Sequence, residues 1–186
     1  MVSFNPALRP ADDASGHRYI HVIGSAVFVD DRPADRRWGV HFLGMLGDEA
    51  CWGVDVPHGD DPSDGAATDL FSYFGRASET EWMVAGRAVQ LVEWARTHRF
   101  CGRCGTPTEP QAHERAMKCP VCGLLAFPRL APAMITLVTR GEPGPDQQAL
   151  LARGVQFRAP LYSCPVSYTH LRAHETVLDL VCRLLL

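Results

Sequence analysis

Two short cysteine segments are the residues in this chain whose type and spacing point to chemistry. Each reads Cys-x-x-Cys-Gly, at residues 101–105 and 119–123, with fourteen residues between the second and third cysteine. Such a turn presents two thiolates from one tight loop, and two turns supply the four soft ligands that Zn²⁺ takes at tetrahedral corners. The gap is one residue below the range of about 15 to 20 for this pattern, a small departure because only a hairpin has to fit inside it. The sequence predicts a closed, structural zinc site made by Cys101, Cys104, Cys119 and Cys122.

The remaining composition favours a reduced, cytoplasmic protein. Seven cysteines is an odd number, and Cys51, Cys164 and Cys182 follow no pairing pattern. The first residues have no apolar core of a signal peptide, and no apolar run is long enough to span a membrane, so we predict neither secretion nor membrane insertion. A net charge of −3 and a pI near 6.2 disfavour tight non-specific binding to nucleic acid.

The elements that must position the cysteines begin with a β-rich N-terminal domain, residues 1–77. Four apolar stretches, at 19–24, 25–29, 39–46 and 50–56, alternate with turn residues and predict short strands of a mostly antiparallel sheet. Residues 58–69 are rich in Gly, Asp and Pro and predict a loop.

A connecting helix is predicted over residues 78–98. Ser78 is a suitable N-cap residue, and Glu81 stands three positions later as its capping-box partner. The predicted apolar face consists of Trp82, Ala85, Val89, Leu91 and Val92. The helix leads directly into the zinc ribbon, residues 99–128.

A second sheet is predicted to begin after the ribbon. Residues 133–139 read as a buried strand, 141–146 as a turn and 148–152 as the returning strand. We assign residues 129–164 to this partial domain and residues 165–186 to a separate tail.

Together, the helix over 85–100, the two cysteine segments, and residues 127–140 and 150–153 resemble the NADH pyrophosphatase family of Nudix hydrolases. The resemblance implies an α+β chain: an N-terminal β-rich domain, a connecting helix, a four-cysteine zinc ribbon and the first hairpin of an incomplete Nudix α/β/α fold. It also implies hydrolysis of NAD(H) to NMN(H) and AMP, removal of NAD caps from RNA in bacterial members, and a homodimer. By the same resemblance Glu114, between the two cysteine segments, and Phe127, just after the second one, contact the dinucleotide substrate.

Catalysis in this family uses Mg²⁺ or Mn²⁺, hard cations that require oxygen ligands. The family supplies them from a Nudix box, a run of glutamates that starts at a glycine. This sequence has no glycine after Gly154, and its carboxylates beyond that point are Glu175 and Asp179. We therefore expect no catalytic residues and no activity in this chain. Residues 165–186 resemble a translated sequencing-adaptor sequence, so we expect an artefactual end on a truncated gene.

Two other interpretations are compatible with the sequence. The ribbon is mildly basic through Arg99, Arg103, Arg115 and Lys118, which suits a module that binds nucleic acid or protein. A strand-binding surface would also need interleaved aromatic residues, and Phe100 is the main one. The other interpretation is a non-functional fragment in which the ribbon folds and the partial Nudix sheet does not.

Overall fold

The computed structural model describes residues 3–35, 37–130, 132–153 and 162–166. The chain forms two compact units, residues 1–128 and 129–186. The further domain boundaries that the sequence predicts after residues 77, 98 and 164 remain predictions.

The first unit is built on a six-stranded mixed sheet. Its strands are β1 (Phe4–Asn5), β2 (Gly16–Ile23), β3 (Ala26–Asp30), β4 (Gly39–Leu46), β5 (Glu49–Asp55) and β6 (Thr68–Asp69). Their order across the sheet is β1-β4-β5-β2-β3-β6. Neighbouring strands are antiparallel except β2 and β5, which are parallel. The predicted mostly antiparallel sheet is confirmed.

Two helices follow the sheet, α1 (Leu70–Phe74) and α2 (Glu79–Thr97). Ser78 caps α2, and the capping box is complete: the Ser78 Oγ accepts from the Glu81 N–H, and the Glu81 carboxylate accepts from the Ser78 N–H. The predicted helix and its cap are confirmed.

The buried face of α2 differs in part from the predicted one. Ala85, Leu91 and Val92 are buried as expected, whereas Trp82 and Val89 are only half-buried. The residues that complete the buried face are Val84, Ala88 and Ala95. Small side chains face the sheet because the approach is close: a Cβ on Gly53 of β5 would lie 3.4 Å from the Ala88 Cβ. Large aromatic side chains cannot fit at such a contact and move to its edge.

A β-bulge interrupts the pairing of β4 with β5 between Phe42 and Gly44. Gly44 has a φ of 150°, and a Cβ there would lie 2.4 Å from the Asn5 carbonyl oxygen. The bulge lets β1 approach β4 at this point. It also leaves the carbonyls of Phe42 and Leu43 to accept hydrogen bonds from arginine side chains, Arg115 and Arg87 respectively.

The ribbon adds a three-stranded antiparallel sheet, with β7 (Glu109–Pro110), β8 (Met117–Lys118) and β9 (Leu125–Ala126). Glu109 lies opposite Lys118, and Lys118 lies opposite Leu125. The strands are short because most of the ribbon backbone is used by the two cysteine turns.

The second unit contains an antiparallel hairpin of β10 (Thr139–Arg140) and β11 (Gln148–Ala149). The predicted hairpin is present, but its first strand is neither long nor buried. Ile135 makes only an isolated bridge to Val166, and Ile135 and Leu137 are 66% and 62% exposed. A continuous apolar run reads as a buried strand only where other layers cover both faces. The described part of the chain provides no such layers.

The predicted tail, residues 165–186, lies outside the described residues from position 167 onward. Among the described residues, no helix is both long and apolar enough to cross a membrane.

Candidate metal centre and ribbon cleft

The two cysteine turns of the ribbon have the same backbone geometry. In the first, the Gly105 N–H donates to the Cys101 carbonyl, and the Cys101 N–H donates to the Thr106 carbonyl. The second repeats this pattern with Gly123, Cys119 and Leu124. Both glycines occupy the left-handed region, with φ of 73° for Gly105 and 74° for Gly123. A residue with a Cβ is disfavoured in that conformation, which explains the glycine after each Cys-x-x-Cys.

The four sulfurs converge on one point. The Sγ atoms of Cys101, Cys104, Cys119 and Cys122 all lie within 4.8 Å of one another. Sulfurs from different turns are closest, with 3.5 Å between Cys101 and Cys122 and 3.5 Å between Cys104 and Cys119. Tetrahedral Zn–S bonds of about 2.3 Å require sulfurs about 3.8 Å apart, so the donor set and its spacing fit zinc.

Backbone N–H groups favour the thiolate form that a metal requires. The Arg103 N–H points at the Cys101 Sγ at 3.4 Å, and this contact lowers the pKa of Cys101. The Cys122 N–H makes the equivalent contact with the Cys119 Sγ at 3.4 Å. The hydrogen bond with the Thr106 hydroxyl lowers the pKa of Cys104 to about 6. At Cys122 the Leu124 N–H lowers the pKa, but burial and the hydrogen bonds with the other three cysteines outweigh it and raise that pKa to about 11. Zinc binding therefore has to displace a proton from Cys122.

Across residues 3–35, 37–130, 132–153 and 162–166, these cysteines are the one group of three or more metal-ligating side chains close enough to share an ion. Four protein ligands close the coordination sphere, so the centre holds structure and leaves no position for a substrate. No carboxylate cluster accompanies it in that part of the chain.

The two predicted substrate contacts lie on different parts of the ribbon. Glu114 is exposed on the connection between β7 and β8, at the edge of a cleft. Phe127 directly follows β9 and is 48% exposed. Phe127 does not line the Glu114 cleft.

The cleft has a volume of about 180 Å³ and lies between the ribbon hairpin and the six-stranded sheet. Val40 and Phe42 of β4 and Trp94 of α2 line one side, and the ribbon contributes Gln111 and Arg115 besides Glu114. Both walls belong to the first compact unit.

Arg115 joins the ribbon to the sheet. Its guanidinium donates to the Phe42 carbonyl at 2.6 Å and to the Ala7 carbonyl at 2.9 Å. In return, Arg9 donates to the Ala112 carbonyl of the ribbon at 3.2 Å. Arg115 is therefore held against the sheet and is not part of an exposed basic face of the ribbon, which weakens the nucleic-acid-module interpretation.

Several polar residues had no recognisable signal in the sequence. Arg96 on α2 pairs with Asp55 at 2.7 Å and also donates to the Val22 and Val56 carbonyls. Arg87 donates to the Leu43 carbonyl. The 3.6-residue period of a helix indicates which face of α2 Arg87 and Arg96 occupy. It does not indicate their hydrogen-bond acceptors, which include backbone carbonyls far away in the sequence.

The fold and the metal centre thus define a zinc ribbon attached to a small α+β domain. The family model for the NADH pyrophosphatase zinc ribbon domain matches residues 96–127. The model for the NADH pyrophosphatase-like rudimentary NUDIX domain matches residues 29–94. The chain belongs to the NADH pyrophosphatase family of Nudix hydrolases, as the residues of α2 and the ribbon had indicated. The second match, which spans β3 to α2, went unrecognised in the sequence; we call residues 1–98 the NUDIX-like domain.

Curated relatives carry the name NAD-capped RNA hydrolase NudC. The one from Deinococcus radiodurans is 44% identical over 112 residues, which are 60% of this chain and 39% of the relative. One from Pseudomonas aeruginosa is 45% identical over 103 residues, covering 55% of this chain and 34% of the relative. One from Stutzerimonas stutzeri is 48% identical over 83 residues, covering 45% of this chain and 28% of the relative. The matched region is thus less than two fifths of each relative.

Proposed function

We propose that the protein to which this sequence belongs is an NAD(H) diphosphatase that also removes NAD caps from RNA. The observation that carries the proposal is the adjacent match of a family NUDIX-like domain and a family zinc ribbon, at residues 29–94 and 96–127. The names of the relatives, NAD-capped RNA hydrolases, support the same substrate class. We further propose a homodimer as the working assembly and the cytoplasm as its location.

Glu114 and Phe127 are the proposed substrate contacts within this chain. An exposed aromatic face offers a nicotinamide or adenine ring a large contact area at a small cost in side-chain entropy, and Phe127 is 48% exposed. Glu114 presents an exposed carboxylate that accepts hydrogen bonds from ribose hydroxyls or an exocyclic amine. We expect the zinc centre to stabilise the ribbon that carries both residues, because its two-residue strands are too short to fold without a metal.

The reaction itself needs groups that this sequence does not carry. Mg²⁺ or Mn²⁺ neutralises the diphosphate and lowers the pKa of the attacking water, and both ions require clustered oxygen ligands. The acidic residues of the second unit's turn, Glu142 and Asp146, are exposed and form no cluster with other described ligands. We propose that the 186-residue chain binds zinc and does not hydrolyse NADH.

Hydrolysis of NADH by the purified chain, with Mg²⁺ or Mn²⁺ present, tests this proposal directly. The release of NMNH and AMP is followed by chromatography, and zinc is measured on the same sample. We expect zinc without turnover. Turnover by the purified chain would refute the claim that the missing glutamates are required.

The role of the two contacts is tested in a chain extended with a Nudix domain from a NudC relative. Phe127→Ala and Glu114→Gln should each raise KM for NADH there, whereas Glu109→Gln, also exposed on the ribbon, should leave KM unchanged. If all three variants had the same KM as the unsubstituted extended chain, Glu114 and Phe127 would not be substrate contacts.

A further inference from the structure

The cleft between the ribbon and the NUDIX-like domain combines an aromatic wall with a positive charge that has no ion-pair partner among the described residues. The half-buried Trp94 supplies an aromatic ring, the exposed Val40 adds an aliphatic side chain, and Phe42 also lines the cleft although it is only 9% exposed. Its volume of about 180 Å³ is below the roughly 300–1,000 Å³ of sites that enclose a drug-sized ligand. The cleft is therefore too small to enclose a whole dinucleotide.

The charge comes from Arg115. Its guanidinium is half-buried, and burial, followed by the nearby charge of Arg87, lowers the pKa of this side chain. Within the described part of the chain, neither arginine takes part in an ion pair. Both donate only to backbone carbonyls. A half-buried charge that is balanced only by neutral carbonyls favours the approach of an anion.

The ribbon side of the cleft supplies groups that read the edge of a base. Glu114 offers hydrogen-bond acceptors, and Gln111 offers both donors and an acceptor. Their side chains come from the hairpin that Arg115 holds against the sheet. One class of ligand combines these three features. It has a flat ring for the aromatic wall, an anion for Arg115 and a polar edge that faces Gln111 and Glu114.

We infer that this cleft is a binding site for a single nucleotide, one base with one phosphate. The NUDIX-like domain thus forms half of a ligand site in addition to supporting the ribbon. The choice of an adenine nucleotide as the probe rests on the proposed function, but the binding itself needs no hydrolysis. An assay that finds no NADH turnover therefore does not decide whether the cleft binds a nucleotide, and the two proposals can fail independently.

The test is a titration of the zinc-loaded chain with AMP, followed by amide and indole resonances in ¹H–¹⁵N spectra. We expect saturable shifts at Val40, Gln111 and the Trp94 indole, with smaller effects at Phe127, which does not line the cleft. Adenosine and inorganic phosphate, each carrying half of the contacts, should bind about tenfold or more weakly than AMP.

Ala112→Trp provides the matched variant, because Ala112 is exposed and lines the cleft, and Ala11→Trp provides the control at an exposed alanine outside it. With zinc content and circular dichroism unchanged, Ala112→Trp should weaken AMP binding about tenfold or more and Ala11→Trp should not. The resonance map of the unsubstituted chain locates the ligand even where Ala112→Trp does not fold. Absence of saturable AMP binding, shifts outside the cleft, or phosphate binding as tight as AMP would each overturn the inference.

Discussion

Replacing Arg115 by methionine removes two of the hydrogen bonds that hold the ribbon to the NUDIX-like domain. The guanidinium makes two hydrogen bonds, to the Phe42 and Ala7 carbonyls at 2.6 and 2.9 Å. Hydrogen bonds that involve a charged group contribute about 1.5–3 kcal/mol each. The lower end applies to Arg115, because its side chain is only half-buried.

Two further effects reduce the expected loss. Methionine keeps most of the aliphatic stem of the arginine, so little packing is lost. The substitution also relieves the repulsion from Arg87 that contributes to the lowered pKa of Arg115. We therefore expect Arg115→Met to lower the free energy of unfolding by about 2 kcal/mol.

Urea unfolding of the zinc-loaded chain, followed by tryptophan fluorescence, measures this change. Arg103→Met is the control, because Arg103 is exposed on the same ribbon and its side chain makes no ion pair with described residues. We also expect faster zinc loss to a chelator in Arg115→Met, since the ribbon is then less firmly held. Equal midpoints and equal zinc-release rates for the two variants would refute the assigned role of Arg115.

Three further substitutions or conditions test the first unit. Gly44→Ala should destabilise it by at least about 2 kcal/mol in urea unfolding, because a Cβ there would lie 2.4 Å from a carbonyl oxygen. Gly75→Ala, at a helix end with open space, should be neutral, and equal effects would contradict this account of the bulge. Ser78→Ala should cost about 1 kcal/mol through loss of the α2 capping box, and an unchanged midpoint would show that the cap contributes nothing. Burial lowers the pKa of His21 and His41 below 6.5, so the unfolded chain takes up protons first and stability should fall as pH drops below 6.5. Unfolding midpoints that are equal at pH 7.5 and pH 5.5, above the range of ordinary carboxylates, would contradict that sign.

Local patterns in the sequence predicted the parts of this protein that depend on nearby residues. The start of α2 follows from Ser78 and Glu81, and the metal centre follows from the two Cys-x-x-Cys-Gly turns, whose glycines adopt positive φ. The capping box and each cysteine turn are decided within about five residues, so their signals stay visible in a single sequence.

Features that depend on distant pairing could not be predicted in this way. The parallel pairing of β2 with β5 joins strands that are separated by β3 and β4. The bulge in β4 exists because Gly44 lets Asn5 approach, and nothing near Gly44 in the sequence identifies Asn5. The half-buried positions of Arg87 and Arg115 follow from the carbonyls that this bulge leaves free.

The predicted buried strand over residues 133–139 was wrong for a related reason. Its composition is typical of a central strand, yet Ile135 and Leu137 remain 66% and 62% exposed. Burial is a property of the layers that cover a strand, and the described residues do not supply them. The composition of this segment therefore indicated a strand that would be buried within a complete sheet.

Parallel assays of zinc content and NADH hydrolysis on the purified 186-residue chain test the central claim most directly. The account predicts about one zinc per chain, held by the four cysteines, and no release of NMNH or AMP with Mg²⁺ or Mn²⁺. Turnover that requires Mg²⁺ or Mn²⁺ and persists through purification would contradict it, because the family's catalytic carboxylates would then be dispensable.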